Sequence, residues 1–251
     1  MDLKIKINKD IRCFKQGQEF TFPLAEGSVN FMMSSNGTGK TTLMHFIRAK
    51  RHDLSEINKR ILDGMQNHDD QIFKNSEAIT IDGTDSFDKV YVLDSIDDDP
   101  TSFINAATAM AFIDGGGMAA MSQSKGKKAL AVLSRFFNKI YDDTHFCYKE
   151  YCEGKKFDKK SLIIIDEADE GLDLATQKKF CWMLMNASVT WNATVICITH
   201  NIMIPMMMPT RERTRLYDLS SDKLVTVREY IIKETDIAVE TSAPEFKEAF
   251  K

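Results

Sequence analysis

The sequence predicts an α/β chain with a largely parallel sheet, on three observations. A strand-like run, Val29 to Met33, feeds straight into the loop Ser34-Ser35-Asn36-Gly37-Thr38-Gly39-Lys40-Thr41-Thr42, and a helical pattern follows with Leu43, Phe46 and Ile47 apolar. Ser161 to Ile165 and Ala193 to Thr199 are apolar runs of strand length, the pattern of strands covered on both faces of a parallel sheet. Strand-like and helix-like stretches alternate along the chain, as they do when crossover helices join parallel strands.

Taken in order, Leu3 to Ile7 and Glu19 to Leu24 alternate as half-buried strands, and Gly27-Ser28 turns the chain into Val29. Residues 52–75 are polar and read as helix plus loop. Strands are expected at Ala78 to Ile81 and Lys89 to Leu93, followed by the acidic turn Asp97-Asp98-Asp99-Pro100. Residues 101–121 are rich in Ala, Met and Gly, and Gly115-Gly116-Gly117 interrupts any long helix. From Lys127 to Tyr141 the apolar residues recur at the spacing of one helix face, whereas 142–160 are polar and read as an insertion. A helix is expected from Ala175 to Met185. Arg215 to Leu219 and Lys223 to Glu229 read as a hairpin across Ser220-Ser221-Asp222, and residues 236–251 as a tail.

The chain has 251 residues, 43% hydrophobic and 28% charged, enough for one domain with a real core. Its 33 basic residues against 37 acidic ones leave a formal charge of -4, so no global basic field points to nucleic acid. Five scattered cysteines fit a reducing compartment. No apolar leader opens the sequence and no long apolar run crosses it, so the expectation is a cytoplasmic protein without membrane insertion.

The loop at 34–42 carries the first chemical signal. Glycines let backbone N–H groups curl around phosphate oxygens, and the helix that starts at Lys40 adds the positive end of its dipole. Ser35, Asn36, Gly37, Thr38, Gly39, Lys40, Thr41 and Thr42 form the candidate cradle, with Lys40 for the β/γ phosphates and the Thr41 hydroxyl for Mg²⁺. Ser34 stands where the phosphate-loop pattern has its first glycine. The second signal is Asp166-Glu167 at the end of an apolar strand expected to neighbour the loop's strand. Asp166 suits the metal, and Glu167 suits the water that attacks the γ-phosphate. His200, ending the strand from Val195, is the third, as a contact for the γ-phosphate.

This ordered set resembles the ABC-type ATPase superfamily. SSNGTGKTT (34–42) is similar to its Walker A motif, SLIIIDEADEGLD (161–173) to its Walker B motif, Gly171-Leu172-Asp173 to its D-loop and His200 to its switch histidine. The resemblance runs from about residue 3 to 219. It implies a P-loop fold with a mixed sheet, antiparallel N-terminal strands and a helical signature subdomain. It also implies Mg-ATP hydrolysis in a homodimer, each site completed by the partner's signature motif. That motif is degenerate here, and its best match is Gln123 to Lys127, with Ser124 and Gly126 as the residues acting across the dimer. No glutamine follows the strand ending at Leu93, where Asp94 or Ser95 takes the place of the family's Q-loop residue, and the adenine-stacking aromatic falls near Phe14, which serves equally as core.

The opening resembles compact SMC/RecF-like heads more than transporter subunits, and on that likeness Arg12 is a further candidate for the phosphates. Only 84 residues separate Lys40 from Ser124, without heptads, so long coiled-coil arms are excluded. The implied organisation is one domain, 1–251, with a nucleotide lobe over 1–95 and 161–235 and a helical subdomain over 96–160. The expected output is directed at nucleic acid or a protein effector, as in repair or phage-defence ATPases. Two alternatives are the ATP-binding subunit of a transporter and a weakly hydrolysing ATP sensor or scaffold. Lys125, Lys127 and Lys128 with Lys155, Lys156, Lys159 and Lys160 form the candidate nucleic-acid stripe, read equally as a solvated face.

Overall fold

The structure, a computed structural model, describes residues 2–11, 13–35, 37–50, 79–94, 125–169, 171–209 and 212–241. Its strands are β1 (Asp2–Ile7), β2 (Glu19–Pro23), β3 (Val29–Met33), β4 (Ile79–Asp82), β5 (Lys89–Asp94), β6 (Ser161–Asp166), β7 (Ala193–Ile198), β8 (Thr214–Asp218) and β9 (Lys223–Val225). Its α-helices are α1 (Lys40–Lys50), α2 (Lys125–Thr144), α3 (Tyr148–Cys152), α4 (Leu174–Thr190), α5 (Met203–Met206) and α6 (Val227–Thr241).

Alternation in β1 buries Leu3, Ile5 and Ile7 and leaves Asp2, Lys4 and Lys6 outside, which suits a sheet covered on one face. β1 pairs antiparallel with β2 and β4 in the order β2-β1-β4. The other six strands form a second sheet in the order β5-β6-β7-β3-β8-β9, parallel except for β9 at its edge. The α/β class with a mixed sheet and antiparallel N-terminal strands is what the sequence predicts.

Both faces of the larger sheet are covered, and the pleat sorts its side chains between two cores. Ile163 and Ile165 of β6 and Val195 and Cys197 of β7 face α2, α4 and α5. Their alternates Leu162, Ile164, Ile196 and Ile198 face α1 and the small sheet. All eight are essentially inaccessible, which is why these strands read as unbroken apolar runs. On α2, Leu133, Phe137 and Ile140 supply the buried stripe that periodicity predicts.

Several boundaries differ from expectation. α4 continues to Thr190 because Ala187 and Ser188 remain buried against the core, and the indole N–H of Trp191 just beyond it donates to Phe146 O at 2.7 Å. The second arm of the C-terminal hairpin stops at Val225. There Thr226 and Glu229 form a capping box, Thr226 N–H to Glu229 Oε2 at 2.7 Å and Glu229 N–H to Thr226 Oγ1 at 3.1 Å, and α6 begins. α6 runs to Thr241 and so includes the first residues of the segment read as a tail. The expected elements at 52–75 and 101–121 lie outside the described residues.

Candidate functional site

The chain leaves β3 at Met33, turns through residues 34–39 and enters α1 at the C-terminal edge of the parallel strands. Gly37 (φ +80°) and Gly39 (φ +93°) take the left-handed backbone that glycine alone adopts freely. Ser34 is not among the residues of positive φ, which explains how a side chain is accommodated where the pattern has its first glycine. Its hydroxyl contacts that of Thr38, and Thr38 Oγ1 donates to Ser35 O at 3.0 Å, so the loop is braced from within. Lys40, only 4% exposed, reaches back over the loop, its Nζ donating to the carbonyls of Ser34 and Ser35, each at 3.0 Å. Burial lowers the pKa of this ammonium, while the carboxylates of Glu167, Asp166 and, from α6, Glu234 oppose that shift. The loop and the Asp166-Glu167 pair therefore share one electrostatic space.

Asp166 ends β6 and is buried. Glu167 has φ +48°, a conformation costing roughly 1–3 kcal/mol for a residue with a side chain, and its N–H is held by Ile198 O at 3.0 Å. That turn brings Glu167 Oε1 to 2.8 Å from His200 Nε2. Strand order corrects one expectation here: the strand bearing the acidic pair does not neighbour the loop's strand. β7 lies between β6 and β3, because the chain leaves β3 for β5 at the far edge and fills the gap on its return. His200, at the end of β7, consequently stands between loop and carboxylates.

Loop residues Gly37, Gly39, Lys40, Thr41 and Thr42 form one wall of an open cleft of about 330 Å³, Glu167 and His200 another, and Cys13 a third. Ser35 is exposed beside it and Thr41 is half-buried. Phe14 is only 3% exposed, lies edge-on to Phe20 and packs under Gly39, where a Cβ would come within 2.3 Å of its ring. It is core beneath the loop and not a stacking surface for a base. In the place of the Q-loop residue, Asp94 stands in register with Asp166.

Arg12, Asn36 and Ser124 lie outside the described residues. Gly126 is in the first turn of α2, which starts at Lys125, two residues earlier than expected. Of the candidate basic stripe, Lys155 is ion-paired with Glu150 and Glu153, and Lys160 with Glu26. Sequence reasoning missed Asp169 and Thr199, both buried, with Thr199 Oγ1 donating to Asp169 Oδ2 at 2.9 Å. It also missed the contact of α6 with the end of β8, where Lys233 meets Asp218; nothing in a linear pattern says which helix covers a strand end.

Thr41 and Asp166 offer a hydroxyl and a carboxylate, the hard oxygen donors that Mg²⁺ takes. Among the described residues no group of three or more His, Cys, Asp or Glu could hold a metal by itself. Phosphate sites hold Mg²⁺ through one or two protein oxygens plus substrate oxygens, and the donor set fits that use.

A glycine loop between β3 and α1, with acidic and histidine residues at the ends of β6 and β7, gives the chain a P-loop α/β fold of the ABC ATPase type. The solved structures it is similar to include ABC transporter proteins and an ATP-binding cassette. Over 97% of this chain and 42% of the other, the structure matches a bacterial Atm1-family ABC exporter with ATP bound, at 12% identity and a TM-score of 0.50. It matches cbiO1 from Clostridium perfringens, part of the ABC transporter complex cbiONQ, over 99% and 98% of the two chains at 14% identity, TM-score 0.45. A dimeric ATP-binding cassette bound to ADP and Pi matches over 90% and 98% at 15% identity, TM-score 0.44. No known sequence family matches the chain, and no curated protein does. Among the described residues no helix is long and apolar enough to cross a membrane.

Proposed function

We propose that this chain binds Mg-ATP and hydrolyses it as a head that dimerises around the nucleotide. One observation carries the reading: Lys40 of the glycine loop lines the same cleft as Glu167 and His200, which meet there at 2.8 Å. In it the loop amides and Lys40 hold the β/γ phosphates, and the contacts Lys40 makes with its own loop's carbonyls keep the ammonium in place. Thr41 and Asp166 hold magnesium, which when bound neutralises phosphate charge. Glu167 orients and deprotonates the attacking water, and His200 contacts the γ-phosphate. Ser124 and Gly126 complete the partner's site, with Arg12 as a further phosphate contact. The nucleotide lobe takes 1–95 and 161–235 and the helical subdomain 96–160. The output, in the cytoplasm, is directed at a protein or nucleic-acid effector.

Purified protein with Mg-ATP tests this. Lys40→Ala loses nucleotide binding, whereas Glu167→Gln keeps ATP and elutes as a stable dimer on gel filtration. A Glu167→Gln protein that stays monomeric under saturating Mg-ATP, or a Lys40→Ala protein that binds ATP normally, overturns the reading.

A second reading, the ATP-binding subunit of a transporter, uses the same chemistry and is supported by the likeness of the fold to a bacterial Atm1-family ABC exporter. Co-purification with a membrane subunit favours it; an unaccompanied, fully active ATPase favours the first.

A further inference from the structure

Glu167 and His200 come from different strand ends, and their contact is itself wet, with side chains 35% and 38% exposed. An ion pair or hydrogen bond in that setting is too weak to hold two loops in register. Directly behind it is a dry contact. Thr199, inaccessible to solvent, donates from Oγ1 to Asp169 Oδ2 at 2.9 Å, and Asp169 is only 6% exposed. The same hydroxyl accepts the N–H of Asn201 at 2.9 Å, so its donor and an acceptor position are both used and its rotamer is set. With Glu167 N–H on Ile198 O at 3.0 Å, the turn 167–169 is tied at two points to residues 198 and 199, immediately before His200, and the Asn201 N–H bond braces the chain just after it. Burial raises the pKa of Asp169 and the Thr199 hydroxyl opposes that rise, as expected of an acceptor whose partner is specific.

We propose that Asp169 and Thr199 form a positioning clip that sets the Glu167–His200 geometry for hydrolysis, an inference that rests on the ATPase reading above. Neither residue walls the cleft, so the clip acts through the two that do. A low-dielectric bond of this kind is worth more than its exposed neighbour, which makes the clip and not the visible pair the determinant of register.

The test pairs a near-isosteric break, Thr199→Val, with variants that keep the bond, Thr199→Ser and Asp169→Asn. Thr199→Val lowers kcat about tenfold while KM for ATP stays within about twofold, because the phosphate loop is untouched. The Ser and Asn variants retain most of the rate. Combining Thr199→Val with His200→Ala costs little beyond His200→Ala alone, since both remove one geometry. A folded Thr199→Val protein with wild-type kcat, or full additivity with His200→Ala, overturns the clip. A second readout needs no turnover: diethyl pyrocarbonate labelling of His200, read by peptide mass, runs about threefold faster in Thr199→Val once the imidazole is released from Glu167. Should the wild-type protein hydrolyse no ATP, the ATPase reading fails by itself. The labelling then decides the clip: faster labelling supports it and unchanged labelling overturns it.

Discussion

Glu167 Oε1 and His200 Nε2 meet at 2.8 Å although β6 and β7 bring them from separate stretches of chain, and the left-handed backbone of Glu167 is what turns its carboxylate towards the ring. Replacing Glu167 by Ala, or His200 by Ala, lowers kcat by about 10²- to 10³-fold with ATP affinity largely kept. Steady-state kinetics alongside equilibrium binding of a fluorescent ATP analogue checks this. A parallel loss of affinity places these residues in ground-state binding instead.

Gly39 is irreplaceable for two separate reasons. Its φ of +93° strains any side chain, and a Cβ there runs into the Phe14 ring and, at 2.7 Å, Cys13 Sγ. Gly39→Ala therefore loses nucleotide binding and stability together. Phe14→Ala, which empties a 3%-exposed aromatic site, costs about 3–5 kcal/mol by urea unfolding. In the double variant the losses are less than additive, because the removed ring is the obstacle.

Asp218 is fully buried at the end of β8, where it accepts from Ser220 N–H and Oγ, Ser221 Oγ and the Lys233 ammonium of α6. Burial alone would raise its pKa; those donors outweigh burial and hold it below the ordinary aspartate value. A depressed acid contributes stability above its unfolded pKa, and that contribution is lost as pH falls through the folded one. Lys233→Met thus destabilises by on the order of 3 kcal/mol near neutrality. The gap to wild type narrows as pH falls from the ordinary aspartate value of about 4 through the lower folded value, below which Asp218 is neutral in both proteins. Urea midpoints measured across that range decide it.

The cap at the start of α6 has a smaller, local effect. Thr226→Ala removes an acceptor from Glu229 N–H and costs about 1 kcal/mol. Amide exchange in residues 227–230 speeds up while the protection of β6 and β7 stays unchanged.

Local chemistry was readable where one physical demand dominates one stretch. Burial on both faces wrote β6 and β7 as apolar runs, and the positive φ at Gly37 and Gly39 wrote the loop. The same reading failed at Lys223 to Glu229, where strand-like alternation masked the Thr226-x-x-Glu229 box, because a capping signal spans four residues and a hydrophobic pattern more. It left Phe14 open between base platform and core, a choice set only by what lies above its ring. It passed over Asp169, since a third acidic letter in a motif does not announce which hydroxyl it will meet.

The sequence by itself determined the elements, the glycine loop and the residue types able to handle phosphate and metal, because these depend on near neighbours in the chain. Tertiary structure alone decided that β7 separates β3 from β6, that His200 therefore meets Glu167, that Thr199 backs it through Asp169, and that α6 closes on the end of β8. Strand order and helix docking depend on contacts between residues far apart in the chain, and those are settled only when every face finds its cover.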